Sequence, residues 1–64
     1  MHEDRVLLRR LLGALLAERP DSDALYIPRG EYGMIRMIRA LLDIRPPREH
    51  DPLSAQIEAF RRMH

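Results

Sequence analysis

Between Asp4 and Arg19 the apolar residues Val6, Leu7, Leu8, Leu11, Leu12, Leu15 and Leu16 recur at spacings of three and four. That recurrence puts them along one side of a 3.6-residue helix. The stripe is double: Leu7, Leu11 and Leu15 form one row, and Leu8, Leu12 and Leu16 the row beside it. Two rows are more surface than one short partner helix covers, and contiguous apolar area left open on a small unit marks a partner site. Glu3 and Asp4 near the start and Arg19 near the end suit the two poles of the helix dipole, and Pro20 cannot continue the helix.

Two further helical patterns follow. Met34, Ile35, Met37, Ile38, Leu41 and Leu42 again pair at three and four, with Arg36 and Arg39 on other faces. Pro46 and Pro47 disfavour helix in the residues before them, so this element should finish near Asp43 or Ile44. Asp51-Pro52 then carries the signature of an N-cap followed by proline at the first helical position, with Leu53, Ile57, Phe60 and Met63 on one face. The connector Pro20-Asp-Ser-Asp-Ala-Leu-Tyr-Ile-Pro-Arg-Gly is rich in turn formers. Within it Ala24–Pro28 is apolar, expected to run extended and packed down across the helices.

The expectation is therefore a small all-α unit, residues 1–64 as one domain, with helices over roughly 4–19, 31–43 and 52–62 and extended proline-containing connectors. Leu8, Leu12, Leu15, Ile35, Ile38, Leu42, Ile57 and Phe60 are its expected core. A chain of 64 residues buries only roughly 60 % of the surface its unfolded form exposes. It contains no cysteine, so neither a disulfide nor a thiolate metal site can reinforce it. No stretch approaches the roughly 20 apolar residues of a membrane span, and the start lacks the small-residue cleavage site of a secretory signal, which predicts a cytoplasmic protein that does not enter the membrane. Eleven arginines, with no lysine, against ten acidic residues leave a net charge of +1. No whole-chain field then draws the protein to nucleic acid or to an anionic membrane.

Residues able to do chemistry are sparse. His2 and His64 lie near the ends of these 64 residues and His50 in a connector, none at the helical spacing that sets two imidazoles beside a metal, so no metal ligands are expected. The carboxylate pairs Asp21/Asp23 and Glu49/Asp51 fall in polar connectors and read as solvated turn or cap residues, without the unequal environments that acid/base catalysis needs. Ser22 and Ser54 have no nucleophile context, and Arg29-Gly-Glu-Tyr-Gly33 is too short for a phosphate cradle. No catalytic residue is expected. The arginines could form a basic face, but acids are interspersed among them and Tyr26, Tyr32 and Phe60 are the only aromatics. Solvated faces and partner contacts therefore outrank nucleic-acid binding.

One family shares the order of these features. Leu-Leu-Gly-Ala-Leu-Leu-Ala-Glu-Arg-Pro (11–20), Tyr-Ile-Pro (26–28), Met-Ile-Arg-Ala-Leu-Leu-Asp-Ile-Arg-Pro-Pro (37–47) and Leu-Ser-Ala-Gln-Ile-Glu-Ala-Phe (53–60) resemble the N-terminal helical extension of zinc-dependent bacterial macrodomain proteins, the protein-ADP-ribose hydrolases. The resemblance spans about Leu7 to Phe60. It departs at Asp43, where the family pattern has asparagine, and at Ile57, where it has an acid. The family's catalytic macrodomain, with its zinc and its Cys and His ligands, has no counterpart in these residues. Hydrolysis of ADP-ribose from modified proteins is thus implied only for a longer or companion polypeptide. For this chain the resemblance implies a non-catalytic accessory without a cofactor of its own. It would pack on a macrodomain in cis or in trans through the second leucine row, Leu7 and Leu11, with Arg39 or Arg45 making polar contacts across the seam. The competing reading is a free-standing helical adaptor or homodimer that covers its own apolar surface.

Overall fold

The computed structural model describes residues 2–19 and 27–64. It contains three helices, α1 (His2–Ala17), α2 (Glu31–Ile44) and α3 (Ser54–Met63), in that order, and no strand among the described residues. The all-α class and the three elements are those the periodicity predicts. Helix α1 packs on both α2 and α3, and these two are the helix pairs in contact.

That arrangement explains the double leucine row. Leu8, Leu11, Leu12, Leu15 and Leu16 are all buried, and they form one cluster with Met34, Ile38, Leu41 and Leu42 of α2 and Ile57 and Phe60 of α3. Two partner helices on α1 use more of its circumference than one would, so both rows go inside. Each fully buried leucine contributes roughly 1.5–3 kcal/mol relative to exposure. The expectation that Leu11 faces outward is corrected: it is 0 % exposed. Leu7, at the border of its row, is half-buried.

A second correction concerns α2. Ile35 is only partly buried against the core, and Met34 is fully buried in its stead. The row that faces α1 runs through 34, 38, 41 and 42, turned one residue from the expected one. Unbranched Met34 can follow the irregular space between leucines, whereas Ile35 is held at the edge.

The helix ends follow local chemistry. Helix α1 stops at Ala17, two residues before the expected end, and the Glu18 and Arg19 N–H groups donate to the carbonyls of Leu15 and Leu16 at 3.3 and 3.0 Å. These three-residue bonds tighten the last turn and satisfy otherwise orphaned carbonyls. Helix α2 ends where the two prolines require, with the Arg45 N–H donating to the Leu41 carbonyl at 2.8 Å. Residues 52 and 53 form a turn, and α3 begins at Ser54. Asp51 is therefore not the N-cap that the Asp-Pro signature implies: Leu53, two residues on, holds that position, and Asp51 Oδ1 accepts from the Leu53 N–H at 2.9 Å in an aspartate turn that leads into the helix.

The connector is only partly described, and Ala24 to Tyr26 of the expected extended segment lie outside the described residues. Ile27 is 38 % exposed and so is not packed down as expected. Pro28 is the residue that docks: a Cβ built on Gly33 of α2 would stand 2.7 Å from the Pro28 Cβ. Gly33 admits the proline ring because it has no side chain.

Candidate functional site

Two features stand out once the helices are in place. The first is an ionic junction at one end of the unit. Arg45, the residue that follows α2, points its guanidinium between Glu18, just beyond α1, and Asp51, just before α3. Its Nε donates to Glu18 Oε1 at 2.7 Å and its Nη2 to Glu18 Oε2 at 3.0 Å. Its Nη1 and Nη2 donate to Asp51 Oδ2 and Oδ1 at 2.6 and 2.8 Å. Arg48 adds its backbone N–H to Asp51 Oδ2 at 3.2 Å and its Nη2 to Glu18 Oε1 at 3.2 Å. A planar guanidinium is the side chain that can engage two carboxylates bidentately at once.

The electrostatics follow from this geometry. The hydrogen bonds from Arg45, then those from the Leu53 and Arg48 N–H groups, hold the Asp51 carboxyl well below the usual carboxylate range, against the opposing effect of its burial. Asp51 and Glu18 in turn hold the Arg45 guanidinium above its ordinary value. Asp51 is 5 % exposed, which corrects its reading as a solvated connector residue paired with Glu49. A carboxylate so strongly biased to the ionised form is a poor proton acceptor, and the arrangement is that of a structural tie between three elements. Glu18 sits at the negative pole of α1, an unfavourable place for an acid that the two arginines offset. Glu18 and Arg45 also belong to two of the strings on which the family resemblance rests, so those strings meet in one junction.

The second feature lies on the side of α1 turned away from the buried leucines. Arg5, Arg9 and Arg10 stand on α1 and Arg29 on the connector around a groove of about 810 Å³. Its floor is Val6, Gly13, Ala14 and Ile27, and among the described residues no acidic one lines it. Val6 and Ile27 remain 37 % and 38 % exposed, and Arg5 Nη2 donates to the Arg29 carbonyl at 3.4 Å, tying the connector to the helix. On the helical wheel Arg5 and Arg9 fall on one side of the Val6–Gly13 line and Arg10 on the other.

The residues expected at a partner seam are therefore distributed unevenly. Leu11 is enclosed in the core and Leu7 is half-buried. Arg45 is committed to Glu18 and Asp51 within the chain. Arg39 lies on the exposed side of α2, where its Nη2 donates to the His64 backbone oxygen at 2.8 Å. The structure brings none of these four into one surface patch with the groove. Sequence reading passed over Arg10 and Arg29. The signal for the former was the 6, 9, 10, 13 spacing opposite the leucines, and for the latter there was none, because the connector places it. Among the described residues no three His, Asp or Glu side chains stand close enough to hold a metal ion, and no helix is long and apolar enough to cross a membrane. Compared with protein-family models, with curated proteins and with solved structures, the chain matches none of them.

Proposed function

We propose that this chain is a non-catalytic, cytoplasmic interaction module that packs on a larger protein, with a macrodomain of the protein-ADP-ribose hydrolase kind as its partner in cis or in trans. The observation that carries the interaction reading is the open groove on the outer face of α1, which keeps apolar side chains exposed between cations with no acid lining it among the described residues. The macrodomain reading rests on the order of the strings around Glu18, Ile27-Pro28, Arg45-Pro46-Pro47 and Gln56. In this reading hydrolysis of ADP-ribose and the zinc that supports it belong wholly to the partner. The described residues of this chain offer no ligand set that would fit that ion.

The test is to mix the purified chain with a zinc-dependent macrodomain and to measure mass by light scattering after gel filtration. A one-to-one complex, weakened by Arg39→Ala or Leu7→Asp, is the expected result. A chain that elutes unchanged beside the macrodomain refutes the partner assignment. A stable dimer of the chain by itself favours the self-associating adaptor instead.

A further inference from the structure

We infer that the groove on α1 takes an acidic amphipathic helix from a partner protein. The inference rests on the reading of the chain as an interaction module and adds the site and the chemistry of what it takes.

Charge is the first ground. The chain as a whole carries +1, yet four of its eleven cations surround this groove and, among the described residues, no acid lines it. Among the described residues no carboxylate pairs with Arg9 or Arg10. The arginines of the junction at the far end of α1, by contrast, are engaged with Glu18 and Asp51. A guanidinium presents a planar fork that matches a carboxylate, so a row of glutamates is the complementary occupant.

Shape is the second. Residues 5 to 14 cover about 14 Å of helix axis, so an occupant lying along the groove would span two to three turns. The floor is apolar, and a Cβ built on Gly13 meets nothing within 4 Å, so a leucine from the partner has room to enter there. A leucine stripe bordered by glutamates at three- and four-residue spacing satisfies floor and walls together. Nucleic acid fits less well, because among the described residues no aromatic side chain lines the groove to stack on a base.

The experiment uses the whole chain and fluorescence anisotropy with two labelled peptides of identical composition, one with leucines on a single helical face flanked by glutamates and one scrambled. The amphipathic peptide should bind at least about tenfold more tightly than the scrambled one, a difference of about 1.4 kcal/mol. Arg9→Glu with Arg10→Glu should weaken it by about tenfold or more, and added salt should weaken it further. Gly13→Leu should abolish binding by filling the floor while leaving the charge and the circular dichroism melt intact or improved. Equal binding of the two peptides, or full binding by Gly13→Leu, overturns the inference. So does tighter binding of duplex DNA or of anionic lipid vesicles with the same sensitivity to Arg9 and Arg10, or a dimer of the chain that Gly13→Leu dissolves. A chain that joins a macrodomain but ignores the acidic peptide defeats this inference and leaves the partner assignment standing. Peptide binding without macrodomain binding does the reverse.

Discussion

Two glycines in helices, at 13 and 33, should respond to the same substitution with opposite signs. Gly13 lies in the middle of α1, and a Cβ added there meets nothing within 4 Å. Gly13→Ala should therefore express the helix propensity difference alone, a gain of about 0.8–1.0 kcal/mol. In a unit of this size that gain corresponds to a rise in Tm of roughly 4–8 °C. At Gly33 the new Cβ would stand 2.7 Å from the Pro28 Cβ and 3.4 Å from its Cγ. Carbon atoms prefer about 3.5–4.0 Å. The Pro28 Cβ is fixed by its ring to the backbone, so relief requires moving the connector.

Overpacking of that kind costs about 1–3 kcal/mol. The propensity gain at Gly33 is at most about 1 kcal/mol, smaller because the site lies in the first turn of the helix. The net expectation is a loss of about 0–3 kcal/mol, so Tm should stay level or fall where Gly13→Ala raises it. Circular dichroism melts of the two single variants, with urea titrations at one temperature, measure both. Equal stabilisation by the two substitutions would refute the docking of Pro28 on α2.

Three further outcomes can be checked in the same way. Leu11→Ala should cost about 2–5 kcal/mol, as for a core leucine, whereas an outward-facing leucine would cost within about 0.5 kcal/mol. Asp51→Asn should lower stability at neutral pH and flatten its acid dependence. Because the folded carboxyl titrates below its ordinary value of 3.8, its contribution is complete above that value and is lost as pH falls beneath it, which urea midpoints at descending pH would show. His50 has φ of 58°, in the left-handed region, with its side chain exposed. His50→Gly should raise stability by about 0.5–1 kcal/mol, the relief of that conformation less the entropy of glycine, read as a higher urea midpoint.

Much of the fold was legible because the relevant forces are local. Leucines at 7, 8, 11, 12, 15 and 16 specify a helix and its apolar side whatever packs there, and Pro46-Pro47 stop α2 by steric exclusion within two residues. The site was less legible because each part is assembled from distant pieces. Arg45 and Glu18 are 27 residues apart, and nothing along the chain shows that they meet. The same holds for Arg29, which reaches the arginines of α1 only because the connector returns past Arg5.

By itself, then, the sequence determined three helices, their approximate limits, and which side of each is apolar, since propensity, periodicity and proline act over a few residues. Tertiary structure decided how wide that apolar side had to be. With α2 and α3 both packed on α1, Leu11 went inside, Met34 displaced Ile35, and Arg45 was drawn into the molecule by two carboxylates from other elements. The groove on α1 is the remainder of that packing: it is the part of the central helix that neither partner helix reaches, and among the described residues no carboxylate pairs with its Arg9 or Arg10.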